Sequence, residues 1–285
     1  MVLKKLSIIL KINNIYIYIY MSVIGIIGIG FVGGAILQSF KEKGITTAVY
    51  DKFKKIGSID TILKTDMVFL CLPTPYDKTL KCYNIEPLHE TCKFLQENTY
   101  NGLVIIKSTV EPLISQALAD KYGLSIIHNP EFLTASTAYF DFHNQKHCVI
   151  GKTSNIGNEQ VKTIIDFYKY HYPSVEVSIC SSDESESMKL FCNCFYSVKI
   201  QFFNELFLLC KRQNIDFDNV KNLMLKNGWI NPMHTQVPGT DGKLSYGGFC
   251  FPKDTSALLS LMKSYQTPHE VISACVVERN SMRSD

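Results

Sequence analysis

Short apolar runs alternate with helical patterns along most of this chain, and this alternation limits the possible folds more than any other feature. The sequence predicts buried strands at 23–27, 46–50, 67–72, 103–107, 124–128 and 147–151. Helical patterns lie between most of these strands, including those at 31–43, 84–98 and 112–121. Repeated βαβ units form a parallel sheet with helices on both faces. We therefore predict an α/β fold with a doubly wound, Rossmann-type parallel sheet.

The pattern changes near residue 180, where long helices replace the alternation. Residues 183–213 carry apolar side chains at helical spacing with almost no helix breaker. The sequence therefore predicts a Rossmann-type domain at 21–181, followed by an all-helical domain at 182–285. The long helix is apolar over more of its circumference than a small domain needs, so we also predict a homodimer that pairs through it.

The first twenty residues stand apart from this pattern. Lys4 and Lys5 precede an apolar run that Lys11 interrupts, and the run is shorter than the roughly 20 residues that a membrane span needs. No small-residue cleavage site follows it. We interpret residues 1–20 as an extension that is disordered or mis-started, with an edge strand or a surface anchor as the alternative.

The charge balance and the cysteines exclude several classes of partner. Lys and Arg total 29, and Asp and Glu total 26, which is too even for a surface that binds nucleic acid or a membrane. The ten cysteines show no paired spacing typical of metal sites. Unpaired thiols are typical of a reducing compartment. We therefore expect a cytoplasmic protein with no metal site and no nucleic-acid or membrane partner.

The sequence GIGFVG places Gly28, Gly30 and Gly33 between the first predicted strand and the first predicted helix. Glycines at this spacing allow a tight turn, close approach of the backbone to a pyrophosphate, and close packing of helix on strand. Asp51 ends the second strand, where a carboxylate can accept hydrogen bonds from ribose hydroxyls and repels a 2′-phosphate. This indicates a site that prefers NAD to NADP; a structural turn with a surface aspartate is the alternative.

Polar residues follow three further strands of the predicted sheet: Thr74, Ser108, Thr109 and Glu131. Ligands of a doubly wound sheet bind at the carboxyl ends of its strands, so we expect these side chains near the cofactor. Each of them could instead be a loop-forming residue or a helix cap.

The long helix carries Glu186, Lys189 and Asn193 at spacings of three and four residues, which places them on one face. A lysine and an asparagine in a partly apolar cleft can bind and polarise a sugar oxygen or an oxyanion. The alternative is a solvated stripe with an ion pair on the helix surface.

The stretch GGFCFPKD surrounds Cys250 with residues that suit a reactive thiol. Gly247 and Gly248 leave space for a ligand against the backbone, and Pro252 suits the first turn of a helix. Cys250 therefore precedes a helix N-terminus, where the helix dipole and Lys253 favour the thiolate. We predict that Cys250 is a nucleophile. Core packing is instead predicted for Cys71, Cys148 and Cys210.

The motifs GIGFVG, KSTV, NPEFL, the Lys189 to Asn193 helix and GGFCFPKD follow one another in this order. On these motifs the chain, from Met21 to its end, resembles the UDP-glucose 6-dehydrogenase and GDP-mannose dehydrogenase family. The resemblance implies oxidation of the C6 alcohol of a nucleotide sugar, above all UDP-glucose to UDP-glucuronate, in two hydride transfers to NAD. It implies that Cys250 forms a thiohemiacetal and then a thioester that water cleaves.

The resemblance also assigns roles to individual residues: Lys189 stabilises oxygen charge, Asp254 helps to activate water, and Lys253 contacts the cofactor. The implied catalytic residues are Cys250, Lys189, Asn193, Asp254, Thr109 and Glu131. The implied cofactor-binding residues are Gly28, Gly30, Phe31, Val32, Gly33, Asp51, Thr74, Pro75, Ser108, Thr109 and Lys253. The implied substrate-binding residues are Glu131, Phe132, Leu133, Lys189, Asn193, Gly247 and Gly248.

The chain departs from the family pattern at three places. Ala135 stands where many members have a second acid, which affects water handling or a cofactor contact, and Ser245-Tyr246 replaces Gly-Phe. Family members also continue into a third domain that holds the nucleotide, and we expect that domain to be absent here. A dimer that completes the site, a partner chain that supplies the domain, or a remnant without turnover would each account for this.

Two other functions therefore stay open beside the two-step dehydrogenase. The first is a non-catalytic homologue that binds NAD or dimerises. The second is a single-step hydroxy-acid dehydrogenase, which would leave Cys250 without a role.

Overall fold

The structure is a computed structural model that describes residues 8–12, 15–19 and 23–284. It divides into two compact units. The first contains the chain up to Pro73 together with Ile85–Glu186, and the second contains Thr74–Asn84 together with the chain from Ser187 onwards. The predicted boundary lies a few residues earlier, after residue 181, and the sequence does not predict that residues 74–84 join the second unit.

Strands and helices alternate through the first unit, and helices dominate the second. The strands are β1 (Ile8–Ile12), β2 (Ile15–Ile19), β3 (Ile24–Ile27), β4 (Thr47–Asp51), β5 (Ile56–Gly57), β6 (Met67–Leu70), β7 (Tyr76–Asp77), β8 (Cys82–Tyr83), β9 (Leu103–Ile106), β10 (Ile126–His128), β11 (His147–Lys152) and β12 (Glu176–Ser181). The helices are α1 (Phe31–Glu42), α2 (Ile59–Ile62), α3 (Glu86–Glu97), α4 (Ile114–Tyr122), α5 (Ala138–His143), α6 (Asn158–His171), α7 (Ser182–Gln213), α8 (Phe217–Lys226), α9 (Phe251–Ser264) and α10 (Glu270–Met282).

Eight strands form the central sheet of the first unit, in the order β12-β11-β10-β9-β6-β3-β4-β5. The pairings between β4, β3, β6, β9 and β10 are parallel, and helices pack on both faces, so the predicted doubly wound fold is confirmed. The sheet is mixed, however, because β11 runs antiparallel to β10 and β5 antiparallel to β4. The connection between β10 and β11 therefore starts and ends at the same edge of the sheet, and its helix α5 packs through Phe142 against Phe40 of α1.

Burial explains why unbroken apolar runs reveal these strands. All four residues of β6 are buried: Met67 and Phe69 belong to a cluster on one face of the sheet, and Val68 and Leu70 to a cluster on the other. Strands that are covered on both faces read as continuous hydrophobic sequence. The edge strand β12 is partly exposed, and the sequence does not predict it.

The strands β1 and β2 lie within the segment interpreted as an extension. They pair antiparallel with each other in a sheet separate from the central one. The rest of residues 1–20 lies outside the described residues, and the interpretation as an extension stays a prediction.

The second unit is helical, as predicted, and also contains one hairpin. Its longest helix is α7, on which Phe203 packs with Phe217 of α8. The strands β7 and β8 pair antiparallel, and the hydroxyl of Tyr76 lies 2.7 Å from Oγ of Ser260 on α9. With two residues in each strand, the hairpin is too short to produce a periodic signal in the sequence.

Candidate functional site

The turn between β3 and α1 contains the three predicted glycines. Gly28 has a φ of +88°, and a Cβ there would lie 2.4 Å from the carbonyl oxygen of Cys71. A Cβ on Gly33 would lie 1.9 Å from the carbonyl oxygen of Gly28, so conformation and packing require both glycines. The Cβ position of Gly30 has no neighbour within 4 Å. The turn therefore leaves open space at the N-terminus of α1, where backbone N–H groups can bind a phosphate.

The next two predicted cofactor residues open α1. Phe31 is 63% exposed, and Val32 packs partly buried against the core. Phe31 and Ala135 line a groove of about 410 Å³ beside α1 and α5. Ala135 is exposed, so a methyl group instead of a carboxylate faces this groove at the position where the family pattern is broken.

The carboxylate of Asp51 accepts hydrogen bonds from the backbone around the glycine turn. Oδ2 accepts from the N–H of Ile29 at 2.8 Å, and Oδ1 accepts from those of Phe53 at 3.0 Å and Lys54 at 2.8 Å. Burial raises the pKa of Asp51, but the three N–H donors and the charge of Lys54 outweigh burial and lower the pKa overall. Asp51 is therefore ionised at neutral pH.

Lys54 is a residue of this turn that the sequence analysis missed. Its Nζ donates to the carbonyl oxygen of Ile29 at 2.5 Å. Ile29 is thus held at both ends, through its N–H by Asp51 and through its carbonyl by Lys54. A basic residue three positions after the acid is the signal that could have indicated it.

The predicted residues after β9 and β10 differ in role. Oγ of Ser108 accepts from the N–H of Leu72 at 3.0 Å and donates to the Leu72 carbonyl at 2.7 Å. Ser108 therefore forms a loop contact, which is the alternative that its sequence context left open. Oε2 of Glu131 accepts from the N–H of Leu133 at 2.6 Å, and Thr109 is half-buried. Both belong to the same unit as the glycine turn.

Lys107 is a buried residue at this edge that the sequence analysis did not single out. It is 2% exposed, and Nζ donates to Oδ1 of Asn129 at 3.0 Å and to the carbonyl of Pro130 at 3.3 Å. These bonds fix the start of the segment that carries Glu131. The next residue, Phe132, is exposed and stacks on His147. A lysine directly after an apolar strand is the signal for such a buried cation.

Glu186 has a different role from the other two polar residues of the long helix. It is fully buried in the first unit, where its carboxylate accepts from the N–H of Leu113 at 2.8 Å and from that of Ser115 at 2.7 Å. Burial raises the pKa of Glu186 to about 7 despite these hydrogen bonds. Glu186 therefore caps the N-terminus of α4, although its spacing from Lys189 suggested one functional face.

In the second unit, Asp254 is the centre of a hydrogen-bonded cluster. It is 0% exposed. Its Oδ2 accepts from Nδ2 of Asn193 at 2.6 Å, and its Oδ1 accepts from the hydroxyl of Tyr83 at 2.6 Å and from Nζ of Lys253 at 2.5 Å. Nζ of Lys253 also lies 4.2 Å from the centre of the Tyr83 ring. The structure thus brings three predicted residues together with Tyr83, which the sequence analysis missed.

Cys250 lies one turn before this carboxylate. It is exposed and forms the N-cap of α9, and its carbonyl accepts from the N–H of Asp254 at 3.0 Å. A thiol at a helix N-terminus lies where the helix dipole favours the thiolate. Lys189 is 4% exposed on α7, one turn before Asn193.

The two glycines before Cys250 have different surroundings. A Cβ on Gly247 would lie 2.3 Å from Nη2 of Arg283, whereas Gly248 has a φ of +78° and no neighbour within 4 Å of its Cβ position. The space predicted for a ligand beside Gly247 is therefore filled by Arg283, and that beside Gly248 is open.

Two predicted cofactor residues, Thr74 and Pro75, belong to the second unit. Thr74 is 5% exposed, and the carbonyl of Pro75 accepts from the N–H of Asn84 at 2.7 Å across the hairpin. Across the part of the chain that the structure describes, no group of three or more His, Cys, Asp or Glu side chains could hold a metal ion.

Comparison with known families matches both units to one family. The model of the NAD binding domain of the UDP-glucose/GDP-mannose dehydrogenase family matches residues 52–170, and that of its central domain matches residues 183–281. A UDP-glucose 6-dehydrogenase of Campylobacter jejuni is 29% identical over 85% of this chain and 61% of its own length. A GDP-mannose 6-dehydrogenase of Azotobacter vinelandii is 27% identical over 70% of this chain and 47% of its own length.

Solved structures show the same fold. A UDP-glucose dehydrogenase from Pyrobaculum islandicum superposes with a TM-score of 0.79 at 23% identity, over 92% of this chain and 68% of that one. A 3-hydroxyisobutyrate dehydrogenase from Mycobacterium tuberculosis superposes with a TM-score of 0.73 at 13% identity, over 93% of this chain and 94% of that one.

The chain spans between about half and three fifths of the length of three curated UDP-glucose 6-dehydrogenases that it matches. Within the described residues, no helix combines the length and the apolar character that a membrane crossing requires.

Proposed function

Because this chain belongs to the UDP-glucose/GDP-mannose dehydrogenase family, we propose that it oxidises the C6 alcohol of a nucleotide sugar to a carboxylate, with NAD as hydride acceptor. We propose UDP-glucose as the substrate and UDP-glucuronate as the product. Cys250 would bind the aldehyde that the first oxidation produces and carry it through the second. The name of the Campylobacter jejuni relative supports the choice of UDP-glucose.

The cluster around Asp254 is the observation that carries this proposal. A carboxylate with no exposed surface accepts from an amide, a phenol and an ammonium group, one turn after an exposed thiol at a helix N-terminus. A structural helix has no need for this combination, whereas covalent catalysis at an aldehyde needs a thiolate and polar groups fixed beside it.

NAD is the cofactor that the family assigns to the first unit, and the residues present there fit it. The open space beside Gly30 at the N-terminus of α1 suits a pyrophosphate. The ionised Asp51 suits ribose hydroxyls and disfavours a 2′-phosphate. When bound, NAD accepts the hydride that leaves the substrate carbon in each oxidation.

The chemistry at Cys250 follows from the balance of bonds. The alcohol loses a hydride from carbon and a proton from oxygen and becomes an aldehyde. The Cys250 thiolate then adds to the aldehyde carbon, and the former aldehyde oxygen takes up a proton, which gives a thiohemiacetal. Loss of a second hydride and a proton leaves a thioester. Water cleaves the C–S bond, which releases the carboxylate and restores the thiol.

The neighbouring side chains stabilise charge and orient groups in this sequence. In this proposal the ammonium group of Lys189 stabilises a negative oxygen, and the amide of Asn193 donates a hydrogen bond to the same atom. Asp254 orients Asn193 and Lys253 through its hydrogen bonds and helps to activate the attacking water. For Thr109 and Glu131 the proposal keeps the catalytic roles that the family resemblance implies.

Counting NADH per substrate tests the proposed reaction. With UDP-glucose, the wild-type protein should yield two NADH per sugar consumed. The Cys250→Ser variant should not release the acid, because a serine hydroxyl is far less ionised and less nucleophilic than a thiol. The matched control Cys210→Ser changes a thiol that is 8% exposed in the core and should leave the yield at two.

Mass spectrometry of the protein separates the other functions. An adduct on Cys250 supports the two-step reaction. A yield of one NADH without an adduct would indicate a single-step dehydrogenase, and no NADH with any nucleotide sugar would indicate a non-catalytic homologue.

We also propose that the protein is a homodimer that pairs through α7. Apolar residues on this helix are exposed by about half or more of their surface and recur at helical spacing: Phe191, Phe195, Phe202 and Leu209. Such a stripe is typical of a helix that packs on another helix. A cytoplasmic location belongs to the same proposal, because a thiol nucleophile has to stay reduced.

Sedimentation of the wild type and two variants tests the dimer. Phe195→Glu places a charge in the stripe and should give a monomer at micromolar concentration. Phe53→Glu changes a side chain of the first unit that is 85% exposed and should leave the dimer intact. A monomeric wild type would remove the dimer from the proposal.

A further inference from the structure

The segment 241–248, here called the glycine loop, leads towards Cys250 and is bound by a buried arginine of the second unit. Nη2 of Arg283 donates to Oδ2 of Asp241 at 2.8 Å, and Nη1 donates to the carbonyls of Leu244 and Ser245, both at 3.3 Å. The Arg283 side chain is 5% exposed. The hydrogen bond from Arg283 lowers the pKa of Asp241. One guanidinium thus binds both ends of a short stretch of the loop.

Other residues hold the same stretch. Nε of Arg279 donates to the carbonyl of Tyr246 at 3.2 Å. On the α7 side, the N–H of Ser245 donates to Oδ1 of Asn204 at 2.8 Å, and its Oγ donates to Oε1 of Gln201 at 2.6 Å. Ser245 has a φ of +58°, a conformation that a residue with a Cβ adopts only when its surroundings fix it. The loop is therefore held from two helices.

The position of the guanidinium explains why residue 247 is a glycine. A Cβ on Gly247 would lie 2.3 Å from Nη2, 2.5 Å from Cζ and 2.8 Å from Nη1 of Arg283. The end of an arginine side chain can normally move away from such a contact. Here it is buried and bound to Asp241 and to two carbonyls, so movement would break those hydrogen bonds.

From this geometry we propose that Arg283 is a positioning residue of the Cys250 site. Its guanidinium takes the place of a side chain at position 247 and fixes the shape of the glycine loop. The loop in turn fixes the backbone of Gly247 and Gly248, which directly precedes Phe249 and Cys250. The missing side chain of Gly247 thus makes room for the guanidinium of Arg283, whereas the space beside Gly248 is open. The assignment of this loop to an active site rests on the proposed function; the contact between Arg283 and Gly247 does not.

A double-mutant cycle tests the contact without any assay of activity. Gly247→Ala alone should lower Tm by several degrees, because the new methyl group displaces the guanidinium from its partners. Arg283→Met keeps the aliphatic stem and removes the colliding atoms. In the Arg283→Met background, Gly247→Ala should lower Tm little further. Equal losses of Tm in the two backgrounds would overturn the proposal.

Gly248→Ala is the matched control for this cycle. The glycine at 248 has a positive φ and no neighbour beside its Cβ position, so an alanine there is strained by its own backbone. Gly248→Ala should lower Tm by the same amount in the wild type and in the Arg283→Met background. If Gly248→Ala lowered Tm less in the Arg283→Met background than in the wild type, Arg283→Met would be making the whole loop tolerant of substitution. That result would also overturn the proposal.

Hydrogen exchange and kinetics test whether the arginine positions the loop. In Arg283→Met, amides 244–249 should exchange at least about tenfold faster, the factor expected for the loss of a hydrogen bond to a charged group, while those of β6 stay unchanged. Arg283→Lys should recover part of this protection. Unchanged exchange at 244–249 would contradict the proposal.

Where the wild type is active, Arg283→Met should lower kcat per folded molecule by about tenfold, because the Cys250 nucleophile is no longer held in place. A purely structural loss reduces only the amount of folded enzyme and leaves kcat per folded molecule unchanged; that result would overturn the positioning role. An inactive wild type would count against the proposed function alone, because the Tm cycle and the exchange data would still decide on the contact.

Discussion

Two buried carboxylates of the first unit accept hydrogen bonds from backbone N–H groups, yet their pKa values move in opposite directions. Asp51 accepts from three such groups beside the glycine turn, and the charge of Lys54 lies near it. Glu186 accepts from two at the N-terminus of α4, and the charge of Asp183 lies near it. The pKa is lowered at Asp51 and raised to about 7 at Glu186.

The difference shows what decides between burial and hydrogen bonding. Burial raises both pKa values, because it disfavours a charged carboxylate. Burial is complete at Glu186, whereas Asp51 keeps 9% of its surface exposed. At Asp51 three N–H donors and a neighbouring cation therefore outweigh burial, whereas at Glu186 burial outweighs the hydrogen bonds and a neighbouring anion adds to it. Asp51 therefore carries a permanent negative charge beside the glycine turn, where the cofactor is expected to bind. Glu186 is a group that changes its charge near neutral pH.

Replacing Glu186 by Gln is expected to have the largest effect in this comparison. The pKa of Glu186 rises from its ordinary value of 4.5 to about 7 on folding, so the folded state binds the proton more tightly. The wild type therefore loses stability as pH rises between these values, by about 3 kcal/mol for the whole shift. The Gln variant cannot ionise, so its stability relative to the wild type should increase by that amount over the same range.

Urea unfolding at a series of pH values measures this difference. A free-energy difference between Glu186→Gln and the wild type that stays constant with pH would show that Glu186 does not titrate in this range.

Replacing Asp51 by Asn should change the free energy of NAD binding, by less than Glu186→Gln changes the free energy of unfolding. The variant loses its charge and turns an N–H₂ group towards at least one backbone donor. We expect NAD to bind more weakly by about 2 kcal/mol, the cost of losing hydrogen bonds to a charged group. Calorimetric titration with NAD measures this. Glu186→Gln is the control, and its affinity for NAD should equal that of the wild type.

The stability of the Asp51→Asn variant should also depend on pH with the opposite sign to that of Glu186→Gln. Because the folded pKa of Asp51 is lowered, its contribution to stability is present above its ordinary value of 3.8 and is lost as pH falls through the folded pKa. Stability of the wild type relative to Asn should therefore decrease in acid. An increase would mean that burial outweighs the hydrogen bonds at Asp51.

Replacing Lys54 by Met should have the smallest of the three effects. The variant loses one hydrogen bond to Ile29 and the positive charge near Asp51, so NAD affinity should fall by about 0.5–1 kcal/mol. The control is Lys52→Met, which changes an exposed lysine whose ammonium lies 3.7 Å from Glu90. Equal affinities of the two variants for NAD would show that Lys54 does not hold the turn.

Features that depend on neighbouring residues in the chain could be predicted from the sequence. The glycine turn and Asp51 follow from spacing around one strand and one helix, and the position of Cys250 before α9 follows from the proline and glycines beside it. Each is a local rule about backbone conformation. The buried strands could be predicted because a sheet covered on both faces needs unbroken apolar sequence.

Features that depend on distant partners could not be predicted. Tyr83 reaches Asp254 from a hairpin with two residues in each strand, and no local pattern indicates this contact. The antiparallel direction of β11 depends on how its connection runs, since the strand itself has the same apolar pattern in either direction. The sequence predicts space for a ligand beside Gly247, whereas the structure fills that space with Arg283, a residue distant in the chain.

The hairpin at 74–84 has a consequence for the order in which the protein is made. Tyr83 leaves the ribosome 171 residues before Asp254, and it is followed by most of the first unit. The buried carboxylate cluster therefore cannot form until α9 has been synthesised, however early the sheet folds. A gene divided after Glu186 would also place Tyr83 and Asp254 on different polypeptides, so that neither fragment would carry the complete cluster.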